Sequence, residues 1–272
     1  MTDKKQAIWK SLLFLGIFVL TISLLVAPYM TFIDKQLLRS VSRLGQDIIS
    51  IIPVLIASWI MVKYFDKRNL VTIGFENKNI LKDIIFGTVL SLFWVGISFL
   101  GQYIFGTIER TSSSFTFNKD FIFYTPALLL NAAAQELLCR GYLFQTIRSN
   151  IGLKTAIIST SLIFLLMHGG ALQAGIIPSL NVFGAGIIFA IAYYKTGQFW
   201  LPITLHFVWN FMYSSILYKP ISGYVGLELY KTKGGELLAG GQDGVEATII
   251  TTVTIIIIIL TEIYFIKERK VN

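Results

Sequence analysis

Residues 12–29 read LLFLGIFVLTISLLVAPY, a run without a single charge. A helix rises about 1.5 Å per residue and a bilayer's hydrocarbon core is ~30 Å thick, so about 17–25 such residues make a span. Lys4, Lys5 and Lys10 precede the run. It is longer than a signal-peptide core of about 7–15 apolar residues, and no small-x-small cleavage site follows, so it is expected as a retained first span. Further apolar runs follow at 48–62, with Pro53 as a possible kink, at 84–108, and from Phe121 to a more polar end around Gln135. Others cover 151–167, 177–194, 200–217 and 245–266. The expected fold is all-α: a polytopic membrane helix bundle of about eight transmembrane helices, forming one integral membrane domain over 1–272. Asp34, Lys35, Arg39, Arg43 and Asp47 mark an amphipathic stretch that lies on the surface or extends a helix. Residues 63–83 and the Gly-rich 218–244 read as polar loops.

Composition agrees. Of 272 residues, 54% are hydrophobic and 14% charged. Soluble domains carry about 25% charged residues, and so few charges could not cover a water-facing surface. Disorder is excluded, because it needs low hydrophobicity and high charge. Cys139 is the only cysteine, which excludes a disulfide scaffold. The net charge of +8 comes from basic residues that mostly flank apolar runs. It therefore reads as membrane topology and contact with anionic headgroups, with no nucleic-acid partner. With eight spans, 15 of the 23 Lys and Arg fall on the side of the termini and 8 opposite. The positive-inside rule then places both termini in the cytoplasm of a multi-pass protein. No second domain and no internal repeat is visible.

Ionisable groups inside spans are expensive, so each needs a reason. Only two histidines occur, His168 and His206, both in or at the end of apolar runs. Glu136 and Arg140 stand at the polar end of the fourth run, Asn210 within the seventh, and Glu262 near the end of the eighth, where snorkelling would account for it. Glu136 and Arg140 are four apart, as are Phe164 and His168, and His206 and Asn210. On a helix each pair shares a face. Three helices thus offer polar or aromatic pairs to a common interior. Such a set suits hydrolysis, with a carboxylate or imidazole taking a proton from water and an imidazole with an amide stabilising an oxyanion. Glu136, His168 and His206 equally suit a divalent metal such as zinc. Taken singly, the pairs read as an intramembrane ion pair, an interfacial histidine and interhelical hydrogen-bonding glue. Proton-coupled transport would use the same residue types, although it is not accompanied here by an inverted repeat.

The stretch QELLCRGYLF at 135–144 resembles the first motif, Glu-Glu-x-x-x-Arg, of the CPBP family of intramembrane proteases, also called the CAAX protease and bacteriocin-processing, or Abi, family. FLLMH at 164–168 resembles its second motif, Phe-x-x-x-His, and HFVWN at 206–210 its third, His-x-x-x-Asn. The TGQFWLP of 196–202 and the segment from Gly240 to Glu246 also look typical. The resemblance covers about 120–250. It implies a CAAX-protease-like core with an interior catalytic cavity. It implies a water activated by Glu136 and His168 for peptide hydrolysis, His206 and Asn210 as the oxyanion site, Arg140 orienting the carboxylates and Phe164 packing the site.

One position departs: the family's first glutamate is Gln135 here. A neutral amide cannot take a proton as a carboxylate does, and adjacent helix residues point about 100° apart. Two readings follow. Either Glu136 does the chemistry, or the chain is a non-catalytic CPBP-fold scaffold, regulatory partner or bacteriocin-immunity protein. The resemblance implies a membrane-associated peptide or protein substrate, the lipid bilayer of a bacterial cell membrane as the setting, and a membrane or cell-envelope protein as partner. Cys139 reads as packing.

Overall fold

A computed structural model of the chain describes residues 3–33, 39–76, 78–113, 120–217 and 227–269. Asp34 and Lys35 of the amphipathic stretch, and 218–226 of the expected loop, lie outside the described residues. The chain is an all-α membrane bundle. Helix α1 (Asp3–Pro28) continues as a π-helical turn to Ile33, and α2 (Arg39–Ile60) as another to Phe65. Then follow α3 (Ile80–Ile104), strand β1 (Ile108–Arg110), α4 (Asp120–Arg140), α5 (Tyr142–Asn150), α6 (Leu153–Met167), α7 (Gly169–Ala174), α8 (Ile176–Thr196) and α9 (Trp200–Asn210). After a π-helical turn at Phe211–Leu217 come β2 (Tyr230–Thr232), α10 (Glu236–Ala239), a 3₁₀ segment at Gly241–Ala247 and α11 (Ile249–Phe265).

The apolar runs of the sequence are helical over most of their length, the third leaving the helix at Ile104 and ending in β1. The helical segments Asp3–Phe32, Val41–Phe65, Ile80–Ile104, Phe121–Asn150 and Ile176–Thr196 are long and apolar enough to cross a bilayer, while α6 and α11 are shorter apolar helices. Large apolar side chains stand exposed along the outer helices, with Leu12 at 65% and Leu81 at 70%. In water such a surface would aggregate, whereas in lipid it is already solvated.

The helices stop where the backbone stops cooperating. α8 ends at Gly197, whose left-handed conformation (φ 69°) lets its N–H bond Tyr193 O at 2.7 Å. α11 begins at Thr248, whose hydroxyl accepts from Thr251 N at 3.1 Å. One end of the bundle is clamped by charges. Lys10 Nζ lies 2.6 Å from Asp66, and Arg269 forks onto Asp83 at the start of α3. Phe199 N bonds Gly74 O at 3.1 Å. The start of α1, the α2–α3 connection, the α8–α9 turn and the last described residues therefore share one face.

Two features differ from the sequence-based expectation. The expected loop at 218–244 contains β2, which pairs antiparallel with β1, Glu109 opposite Lys231. Cross-strand charge pairing, with Lys231 Nζ 2.8 Å from Glu109 Oε1, joins two connections on the face opposite the clamped end. Glu262 does not snorkel. It is fully buried, and neither carboxyl oxygen has a hydrogen-bond partner among the described residues. The reason is its position on the inner face of α11, in line with the buried Ile255 and Ile258, not on the lipid side.

Candidate functional site

α4 and α9 pack against one another beside α8 and α6, and the polar pairs meet there. Glu136 and Arg140 are fully buried on α4, and His206 on α9 is 3% exposed. Glu136 Oε1 lies 3.0 Å from His206 Nδ1. Its other oxygen lies 3.3 Å from Arg140 Nε, one turn along α4. Arg140 Nη2 donates to Gly186 O at 2.6 Å, and its guanidinium sits 4.9 Å over the Phe164 ring. A Cβ on Gly186 would come 3.0 Å from Ser161 Cβ, so the close approach of α6 to α8 at this point favours glycine. Glu136 is thus held between a guanidinium and an imidazole, which is how a buried carboxylate is kept.

The two histidines share aromatic neighbours. Phe189 of α8 stacks on His206 at 4.8 Å and 14°. Phe164 lies 5.5 Å from His206 and 4.5 Å from His168. His168 is half-buried just past the end of α6, and its Nδ1 is 2.8 Å from Phe164 O. A carbonyl only accepts, so Nδ1 carries the proton and Nε2 presents a lone pair. The carboxylate at Nδ1 of His206 assigns its proton by the same logic.

Gln135 goes elsewhere. Its Nε2 donates to Asn131 Oδ1 at 2.8 Å, and Asn131 Nδ2 donates to Asp47 Oδ1 at 3.1 Å, so the amides form a ladder from α4 to α2. Adjacency on the helix thus splits the pair: Glu136 faces the histidine and Gln135 faces α2. Asn210 is half-buried at the junction of α9 with its π-helical extension, and its amide makes no hydrogen bond among the described residues. Cys139 is buried, its sulfur 3.9 Å from Met167 Sδ, in the packing role expected of it.

The donor set does not converge on a metal. Among the described residues no three His, Cys, Asp or Glu side chains group to hold an ion. Glu136 is already shared between Arg140 and His206.

Other residues enter the site without a spacing signal in the sequence. Trp209 Nε1 donates to Glu246 Oε1 at 2.8 Å, and its indole stacks on Trp94 at 3.9 Å. Phe189 and Gly186 come from a span that carries no charged residue before Lys195. Only Trp209, inside the third motif, and Glu246, at the end of the Gly240–Glu246 segment, were within reach of sequence reasoning.

Residues 117–212 match the family model described as type II CAAX prenyl endopeptidase Rce1-like. No curated protein and no solved structure matches the chain. The matched segment carries all three motifs, on α4, at the end of α6 and on α9, and over it the chain is similar to the CPBP, or CAAX protease, family.

Proposed function

We propose that the chain is an intramembrane endopeptidase that hydrolyses a peptide bond of a membrane-associated protein or peptide. The observation that carries this reading is the buried Glu136–His206 pair at 3.0 Å, with His168 on the same Phe164 ring. The lone pair on His168 Nε2 takes a proton from water as its oxygen attacks the scissile carbonyl carbon. His206, its ring fixed through Nδ1 by Glu136, and the Asn210 amide, free of other partners among the described residues, form the oxyanion site. The intermediate collapses, the C–N bond breaks, and the proton held by His168 passes to the leaving amine. Arg140 fixes Glu136 and does not touch the reacting atoms. In this scheme Glu136 acts through His206, while the sequence-based expectation gave it a share in activating water.

The scaffold reading keeps one observation in its favour: Gln135 is engaged in the amide ladder to Asn131 and Asp47, away from the histidines. Terminal-peptide mass spectrometry separates the two. Membranes making the wild type should contain cleaved termini that are absent with His168→Ala and with Glu136→Gln. Identical peptide sets in all three would support the scaffold.

A further inference from the structure

A narrow cleft of about 40 Å³ opens among α3, α8, α9 and α11. Its walls are Trp94, Trp209, Val182, Ala185 and Ile255, and Glu246 stands in it as the one ionisable group. The cleft adjoins the candidate site along two elements. Ala185 is one turn before Phe189, the ring stacked on His206, and Trp209 is three residues after His206. One helical turn is about 5.4 Å and an extended residue about 3.3–3.6 Å, so a side chain filling the cleft belongs to a residue within one or two of the bond being cut.

The position of Glu246 is built. Asn181 Nδ2 donates to Glu246 O at 2.8 Å and to Thr248 O at 2.9 Å, pinning the 3₁₀ segment to α8. Thr252 Oγ1 fixes the Asn181 amide by donating to its Oδ1 at 2.6 Å. Trp209 Nε1 donates to Glu246 Oε1, and no other donor reaches the carboxylate among the described residues. No Lys or Arg among them pairs with it either, unlike Glu136.

Resting on the endopeptidase reading, we propose that this cleft is a specificity subsite for a lysine side chain of the substrate. Its apolar walls take the methylene stem, and the second carboxylate oxygen of Glu246 accepts from the ammonium. Lysine is preferred over arginine because Trp209 already occupies one oxygen. A guanidinium gains most from binding both oxygens, whereas an ammonium is satisfied by one. A neutral or acidic side chain would leave the carboxylate desolvated and without a counter-charge.

Two measurements test it. In the terminal-peptide experiment, cuts that depend on Glu136 and His168 should carry lysine at one fixed position beside the cleavage point. Glu246→Gln should disperse that preference and Glu246→Lys should move it to aspartate and glutamate; such cuts without a lysine preference overturn the subsite and leave the protease standing. The second measurement needs no hydrolysis. The full chain in detergent is titrated with N-acetyl-lysine amide, N-acetyl-arginine amide and N-acetyl-norleucine amide while tryptophan fluorescence is followed, with Trp209→Phe identifying the responding indole. The lysine probe should bind at least tenfold more tightly than norleucine, and Glu246→Gln, which still accepts from Trp209, should erase the difference. Equal responses, or a difference that survives Glu246→Gln, overturn the proposal. Lysine-selective binding without any dependent cuts would sustain the site and refute the endopeptidase reading.

Discussion

Glu136 Oε1 meets His206 Nδ1 at 3.0 Å, while Gln135, one residue earlier on the same helix, bonds Asn131 at 2.8 Å. The two side chains belong to different interfaces, one toward α9 and one toward α2. The carboxylate that survives in the first motif is the one aimed at a histidine, so the exchange of the first glutamate for an amide leaves the Glu136–His206–Arg140 cluster intact.

Glu136→Gln should therefore lower wild-type-dependent cleavage by about 10²-fold or more, the range expected when the oxyanion site loses the group that holds one of its members. Gln135→Asn should cost less than about tenfold, because the amide ladder touches neither histidine. Quantified cleaved termini in membranes check both. Equal losses for the two variants would refute the division of roles.

Arg140 is buried with Glu136 and is the only guanidinium on it among the described residues. Arg140→Met should destabilise the fold by about 3–5 kcal/mol, the usual cost of leaving one member of a buried pair uncompensated. Adding Glu136→Gln to Arg140→Met should restore more than half of that loss. Thermal unfolding of the four proteins in one detergent gives the double-mutant cycle, and additive losses would mean the pair is not coupled.

Glu262 is buried without a partner among the described residues, and an unsatisfied buried polar group costs about 1–3 kcal/mol. Glu262→Leu should hold or raise the melting temperature. A marked fall would show that the carboxyl is bonded in the membrane-embedded protein.

The β1–β2 pair makes a pH-dependent contact outside the spans. The Lys231 hydrogen bond and charge hold the Glu109 carboxyl below its ordinary value, and the same contact holds the Lys231 ammonium above its own. The contribution of Glu109 is present above its unfolded pKa and lost as pH falls through the lower folded one. That of Lys231 is present below its unfolded pKa and lost as pH rises through the higher folded one. Protection of the Thr111 amide, which donates to Leu229 O at the end of the strands, should be greatest between those limits. Glu109→Gln should flatten the acid limb, and an unchanged limb would remove Glu109 as its cause.

Much of this was legible in the chain itself. Uncharged runs such as 12–29 make helices in lipid because the backbone must close its hydrogen bonds locally, and α1 follows directly. The i, i+4 spacing of Glu136 with Arg140 likewise needed no tertiary information to pair them. Glu262 was misread because a terminal position allows snorkelling only when the side chain faces outward, and that rotation is set by packing. The β1–β2 pair was missed because three-residue strands lack the length for a period-2 pattern.

The sequence by itself determined the solvent, the helices and the inventory of reactive groups, since all three depend on local composition and on a 3.6-residue period. Only the tertiary structure decided that Glu136 and not Gln135 faces a histidine, that both imidazoles share the Phe164 ring, and that Glu246 reaches Trp209 from 37 positions away. These contacts depend on helix rotation and crossing, which follow from the packing of small residues such as Gly186 against neighbouring helices. That packing is a property of the whole bundle and leaves no periodic mark on any one segment.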